Sequence, residues 1–268
     1  MNDKEKLVET FRSHIKGRVP NTNGMNERHD GRKGHWLEQQ FGIHHNADNS
    51  ADILGYELKN ETTSKTTFGD WSANEYIYND SAYSSVFTQE TSIERRDMFL
   101  SIFGKPNQEK AGRCSWSGEP CPKISGYNKF GQRLIIDEID DILAEYCYSE
   151  DQRENKSEII PEELQKEHLI LARWYGSSVP SGKKGKCLKS KLEDKFNDKG
   201  WFTCKTYHLG RYCKICFGKP MTFDNWLELV RKGIVFFDSG MYQGNDRPYS
   251  QWRANNSYWD SLITEEFD

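Results

Sequence analysis

Residues Asp52 to Lys59 run Asp-Ile-Leu-Gly-Tyr-Glu-Leu-Lys, and this alternation of apolar and charged side chains decides how the chain is built around them. On a strand, successive side chains leave opposite faces, so Tyr56 and Leu58 share one face while Glu57 and Lys59 share the other. Asp52 precedes Glu57 across Gly55, where a bend brings its carboxylate toward Glu57. Two carboxylates at one point suit a hard divalent ion such as Mg2+, with backbone carbonyls completing an oxygen shell. The ammonium of Lys59 beside them can orient or deprotonate an attacking water and offset charge on a phosphorane-like transition state. The spacing by itself arises about once by chance in a chain with 41 acidic and 37 basic residues. An exposed Glu/Lys pair on an edge strand fits the same residues.

The flanking sequence adds weight to the charged reading. In HWLEQQFG (35–42), Trp36, Leu37 and Phe41 fall on one side of a helix that Gly42 closes, and Glu38 lies beside that apolar stripe. Farther upstream, Leu7, Val8, Phe11 and Ile15 in KEKLVETFRSHI predict an amphipathic helix, followed by a polar loop. Downstream, Ser64 to about Gly131 is rich in Ser, Thr, Asn, Gly and aromatics, which predicts short strands and long loops instead of helices. Pro161 followed by EELQKEH predicts a helix start with carboxylates in its first turn. HLILARWYG (168–176), WFTCKTYHL (201–209) and IVFFDSG (234–240) are predicted strands, and KCLKSKLEDKF (186–196) a helix. MTFDNWLELVRKG (221–233) is a helix with Phe223, Trp226, Leu227 and Val230 on its buried side. The sum is a mixed α/β protein without a clear linker. It is expected to be one bilobed domain over 1–268, with a catalytic part at about 1–135 and a basic, DNA-recognising part at about 168–268.

A chain of 268 residues, 35% hydrophobic and 13% aromatic, can bury a substantial core. It has no apolar run of membrane-spanning length, and its first residues lack the apolar segment of a signal peptide, so a cytoplasmic protein is expected. Seven cysteines at irregular spacing argue for reduced thiols or a metal site over a disulfide framework. Cys213 and Cys216 form one CxxC, with Cys204, Cys187 and His208 nearby and Cys114 and Cys121 farther off, which leaves a structural zinc open. The formal net charge is −4, but it is unevenly spread. Asp137–Glu167 carries −9, and Arg173–Lys219 carries +9, enough to hold a phosphate backbone or simply to form a solvated face. Within it, SVPSGKKGKCLKSK lacks the full phosphate-loop pattern and is either a backbone-contacting arm or a surface loop. His44 and His45 are assigned no role.

The stretch RKGHWLEQQFGIHHNADNSADILGYELKNETT resembles the core of the MutH-like and MvaI/BcnI-type endonucleases of the PD-(D/E)xK nuclease superfamily. The matching residues are Lys33, Gly34, Leu37, Glu38, Gly42, Asp52, Leu54, Gly55, Glu57, Leu58 and Lys59. The resemblance implies a MutH-like core, a mixed sheet flanked by helices, with two arms around a DNA-binding cleft. It also implies Asp52 and Glu57 as metal-binding carboxylates for Mg2+, Lys59 as the catalytic lysine and Glu38 as a supporting acid. Asp52 and Glu57 are closer together than in MutH and match the restriction-enzyme spacing better. The implied activity is therefore that of a type II restriction endonuclease hydrolysing both strands of DNA at a short specific sequence to leave 5′-phosphates. A MutH-like strand-nicking repair endonuclease and a DNA-binding module with a vestigial nuclease site are the alternatives. Double-stranded DNA is the implied partner, with a cognate DNA methyltransferase as a genetic partner only, and the enzyme would act as a monomer or weak dimer.

A second patch lies near the C-terminus. After the strand IVFF, the segment DSGMYQGNDRPYSQWRANNSYWDSL resembles the place where MvaI-type enzymes carry a Gly-Ala-Tyr and a polar loop that enters a groove. Arginine pairs bidentately with guanine, and glutamine with adenine. Arg247, Gln251 and Arg253 are therefore the expected base contacts, with Tyr242 and Tyr249 positioning the DNA backbone. Trp252, Tyr258 and Trp259 are expected to pack a C-terminal hairpin against the core.

Overall fold

The computed structural model describes residues 1–24, 31–43, 49–60 and 63–268. His44 and His45 lie outside the described residues. The chain opens with α1 (Asp3–His14), α2 (Arg32–Gln40), β1 (Glu57–Leu58), β2 (Lys65–Asp70), β3 (Glu75–Tyr76) and α3 (Ser92–Phe103). It continues through β4 (Lys105–Asn107), β5 (Arg113–Ser115), β6 (Phe130–Ile136), β7 (Ile142–Asp151), α4 (Lys156–Ile159) and β8 (Leu169–Trp174). Then come α5 (Leu188–Phe196), β9 (Trp201–Tyr207), β10 (Arg211–Gly218), α6 (Phe223–Arg231) and β11 (Phe236–Ser239). β12 (Ser250–Asn255), α7 (Asn256–Ser261) and β13 (Ile263–Phe267) close the chain. The class is mixed α/β, as expected, and no helix among the described residues is long and apolar enough to cross a membrane.

Two compact units share these elements, each assembled from stretches far apart in sequence. The first takes Met1–Thr66, Lys191–Thr222 and Asn255–Asp268; the second takes Thr67–Ser190 and Phe223–Ala254. In the first unit, a mixed sheet runs β1-β9-β10-β13, with β1 parallel to β9 and the other neighbours antiparallel. The apolar faces read from the sequence meet on it. Leu7, Val8, Phe11 and Ile15 from the first helix and Trp36, Leu37 and Phe41 from the second join Tyr56, Leu58, Phe202, Ile215 and Phe217 in one buried cluster. An amphipathic helix holds its shape mainly by such burial, and here both helices find the same sheet face.

The second unit holds an antiparallel sheet of order β3-β8-β7-β6 and the β4–β5 hairpin. Its core is a web of edge-on rings: Trp174 meets Phe237 and Trp252, and Trp116 meets Phe99 and Phe237. Trp252 and Trp259 are buried, as expected.

Two expectations fail here. The stretch from Ser64 to Gly131 contains a twelve-residue helix, α3, opened by a capping box in which Thr91 and Glu94 satisfy each other's backbone N–H groups. Its periodicity is masked because Arg96 is buried while Ile93 is exposed. Conversely, Pro161 starts only a short 3-10 turn, Glu162–Leu164, whose single buried residue is Leu164. Without an apolar stripe, nothing packs to carry that turn on as a helix.

Candidate active site

The site grows from one tight turn. Ile53 and Tyr56 exchange backbone hydrogen bonds of 3.1 and 2.8 Å around Leu54 (φ 52°) and Gly55 (φ 82°). Two left-handed residues in succession are the backbone of a type I′ turn. Gly55 suits it twice over, because a Cβ there would also stand 2.1 Å from Asp198 Oδ2. The turn folds Asp52 back onto the strand it precedes, and Asp52 Oδ2 accepts a 2.8 Å hydrogen bond from the Leu58 N–H. The strand is held by parallel pairing with β9: Glu57 N–H donates to Gly200 and Lys59 N–H to Phe202.

Tyr56 and Leu58 enter the core cluster, and Glu57 and Lys59 form an ion pair of 2.8 Å on the other face, as the period of two requires. Both charges are buried, at 2% and 6% exposure, so they are not the surface pair of an edge strand. A third group joins them: Lys195, in the last turn of α5, donates to the same Glu57 Oε1 at 2.9 Å. Phe196 beside it carries the Lys59 ammonium over its ring, 5.1 Å from the centroid. The other carboxylate oxygen, Glu57 Oε2, is buried and makes no hydrogen bond among the described residues.

The protonation states follow from this packing. Burial pushes the Glu57 carboxyl up, but the charges of Lys59 and Lys195 outweigh burial and hold it below its usual range. Burial pushes the Lys59 ammonium down, helped by Lys195 and opposed by Glu57 and Asp52. Asp52 is pushed up to about 6, first by burial of its carboxyl and then by the charge of Glu57. Asp52 as a whole residue is nevertheless exposed, and solvent on its open side tempers that shift.

A buried carboxylate oxygen with no donor among the described residues, next to a second carboxylate that shares its crowding, suits a hard divalent cation. The donors at hand are oxygens, the right chemistry for Mg2+. Among the described residues, no three His, Cys, Asp or Glu side chains gather closely enough to hold an ion, so the carboxylate pair needs further oxygens to complete a shell. The cysteines form no such cluster either, and all seven are free thiols.

Glu38 comes from α2, whose apolar side shares the core cluster with Tyr56 and Leu58. It is half-buried on α2, with His35 Nδ1 3.5 Å from its carboxylate. The helix is set against the strand's continuation by Gly34, where a Cβ would stand 2.9 Å from Asn60 Nδ2. Lys195 was not singled out from the sequence. Its helix is legible there, but nothing local marks which strand that helix's last turn will face.

The C-terminal candidates lie in the second unit, on the β11–β12 hairpin and the loop before β12. Arg253 is mostly buried, paired with Asp238 at 3.0 Å from the facing strand, and its Nε makes no hydrogen bond among the described residues. Arg247 is half-exposed, pairs with Asp70 at 2.9 Å and lies over the ring of Tyr249. Gln251 is half-buried opposite Asp238. Tyr242 is exposed, with the guanidinium of Arg113 3.7 Å above its ring. The basic stretch Arg173–Lys219 is divided between the units, and Arg173, Lys183, Lys195, Lys199, Lys205 and Lys214 are each engaged with a carboxylate.

The model of the LlaMI restriction endonuclease family matches residues 15–267, almost the whole chain. The chain belongs to the LlaMI restriction endonuclease family. A curated relative, the type II restriction enzyme ScrFI of Lactococcus lactis subsp. cremoris, is 62% identical over 265 residues, covering 98% of each chain. A solved structure of the restriction endonuclease MvaI with its cognate DNA substrate shares the fold, with a TM-score of 0.57 over 98% of this chain and 96% of that one at 13% identity. As a restriction endonuclease of the LlaMI family, the protein is a site-specific DNA-cleaving enzyme, and neither a repair nickase nor a binding module is needed to account for it.

Proposed function

We propose that this LlaMI-family enzyme is a type II restriction endonuclease that hydrolyses both strands of double-stranded DNA with Mg2+, leaving 5′-phosphates, and that Asp52, Glu57 and Lys59 carry the reaction. The observation that supports this most directly is the gathering of these three residues around β1 and the turn before it, with Glu57 Oε2 buried and without a hydrogen bond among the described residues. Asp52 and Glu57 would hold the divalent cation. When bound, it supplies Lewis-acid polarisation of the phosphoryl oxygen and lowers the pKa of a water.

The chain's own residues do the rest. The Leu58 N–H fixes one oxygen of Asp52 and so sets where the other is presented. Lys59, anchored to Glu57 and lying over the Phe196 ring, keeps its ammonium in one place. There it can donate to a phosphoryl oxygen as negative charge develops, and its preset position avoids reorganisation during the reaction. Burial lowers its proton affinity, which also makes it readier to exchange a proton with the attacking water. Glu38 acts as a supporting acid from the neighbouring helix. For recognition, Arg247, Gln251 and Arg253 contact base edges, while Tyr242 and Tyr249 position the DNA backbone. Arg247 is the best presented of these, being half-exposed and stacked on Tyr249.

Digestion of a sequenced plasmid with Mg2+, with and without EDTA, tests the reading. Discrete fragments with mapped 5′-phosphate ends that vanish on chelation are expected. Nicked circles alone, or cutting that survives chelation, would overturn it.

A further inference from the structure

Glu57 Oε1 accepts from two ammonium groups at once, Lys59 at 2.8 Å and Lys195 at 2.9 Å. One cation suffices to neutralise one carboxylate, and Lys59, on the same strand, already does so. The second comes from a distant stretch of sequence and enters a site where burying charge is costly. Set against Asp52 and Glu57, the two lysines make the metal-free cluster formally neutral. A divalent cation added to it would leave two net positive charges in a poorly hydrated site, where repulsion is several times stronger than in water. A DNA phosphate supplies the missing negative charge. Of the two lysines, Lys195 has the easier way out, with a side chain 17% exposed against 8% for Lys59.

We infer that Lys195 is a positioning residue that occupies Glu57 in the DNA-free protein and makes divalent-cation binding depend on a DNA phosphate, to which its ammonium transfers. This rests on the reading of Asp52 and Glu57 as the cation's carboxylates. Lys195 keeps Glu57 in place while the site is without substrate, and its departure onto the phosphate removes the charge that opposes the cation.

The experiment is a titration of the full-length, DNA-free protein with Mn2+, followed by electron paramagnetic resonance of the free ion. Lys195→Met and Lys195→Gln remove the charge, and the glutamine retains a donor for Glu57. Both should bind Mn2+ at least about tenfold more tightly than the wild type. Lys195→Arg, which keeps the charge, should bind like the wild type. On a plasmid that the wild type cuts, the two neutral variants should cut about ten- to a hundredfold more slowly. Tighter binding joined to slower cutting is the signature a merely structural lysine would not give. Wild-type or weaker Mn2+ affinity in both neutral variants would overturn the inference. Adding Asp52→Asn to Lys195→Met should abolish the gained affinity. If tight binding persisted in that double variant, the ion would lie elsewhere, and the failure would be that of the carboxylate-pair reading itself.

Discussion

Asp52 Oδ2 accepts a hydrogen bond from the Leu58 N–H at 2.8 Å, so a residue outside the strand is tied back onto it. The bond exists because Leu54 and Gly55 reverse the chain with two left-handed conformations. It sets Asp52 beside Glu57 without burying Asp52 itself, and this difference in burial makes the two acids separable by experiment.

Glu57→Ala removes a carboxylate that pairs with both Lys59 and Lys195, and leaves two ammonium groups poorly solvated. Breaking a buried ion pair from one side typically costs 3–5 kcal/mol, and roughly that loss is expected in urea unfolding of this variant. Asp52→Ala, on the exposed side, should cost about 1 kcal/mol or less. Equal losses for the two would mean that the burial difference has no energetic meaning.

Leu54 holds a φ of 52° at 38% exposure, so it bears backbone strain and has little packing to lose. Asparagine tolerates that conformation, and Asn-Gly is the favoured pair for a type I′ turn. Leu54→Asn should therefore stabilise the protein by about 1 kcal/mol, seen as a higher melting temperature. A lower one would show that Leu54 packs more than it strains.

The two arginines of the recognition hairpin should behave differently. Arg247→Ala is expected to lose on the order of 1 to 3 kcal/mol of discrimination between the cut site and altered sites, measured by competition binding, with little change in stability. Arg253 is tied to Asp238 in a partly buried pair, so Arg253→Ala should lower the melting temperature as well as any discrimination. Equal weakening on cut-site and random duplexes for Arg247→Ala would make it a phosphate contact.

Where the chemistry lies within a few residues, the sequence is legible. The alternation at Tyr56–Lys59, the helix bearing Glu38 and the reversal at Gly55 are all local patterns, and each has its structural counterpart. What it hides is long-range. Glu57 and Lys195 are 138 residues apart, and they meet because β1 pairs with β9 after the whole of Thr67–Ser190 has gone into the other unit. No periodicity carries that pairing. The α3 helix was obscured for another reason, since its buried Arg96 and exposed Ile93 break the apolar stripe, while its one clear mark was the Thr91–Glu94 capping box. The charge stretches hide their pairing in a third way. Asp141 and Glu145 pair with Arg173 and Arg133, and Lys183 and Lys199 with Glu75 and Asp3, partners that net charge along the chain does not reveal.

The central claim is that Asp52 acts in the chemistry and not in holding the DNA. The most direct measurement compares Asp52→Ala with the wild type, following single-turnover cleavage in Mg2+ and DNA binding in Ca2+ on the same duplex. Loss of a metal carboxylate removes several kcal/mol of transition-state stabilisation, so cleavage should fall by about a thousandfold or more while cognate binding stays within a few-fold. Cleavage by Asp52→Ala at near the wild-type rate would contradict the account.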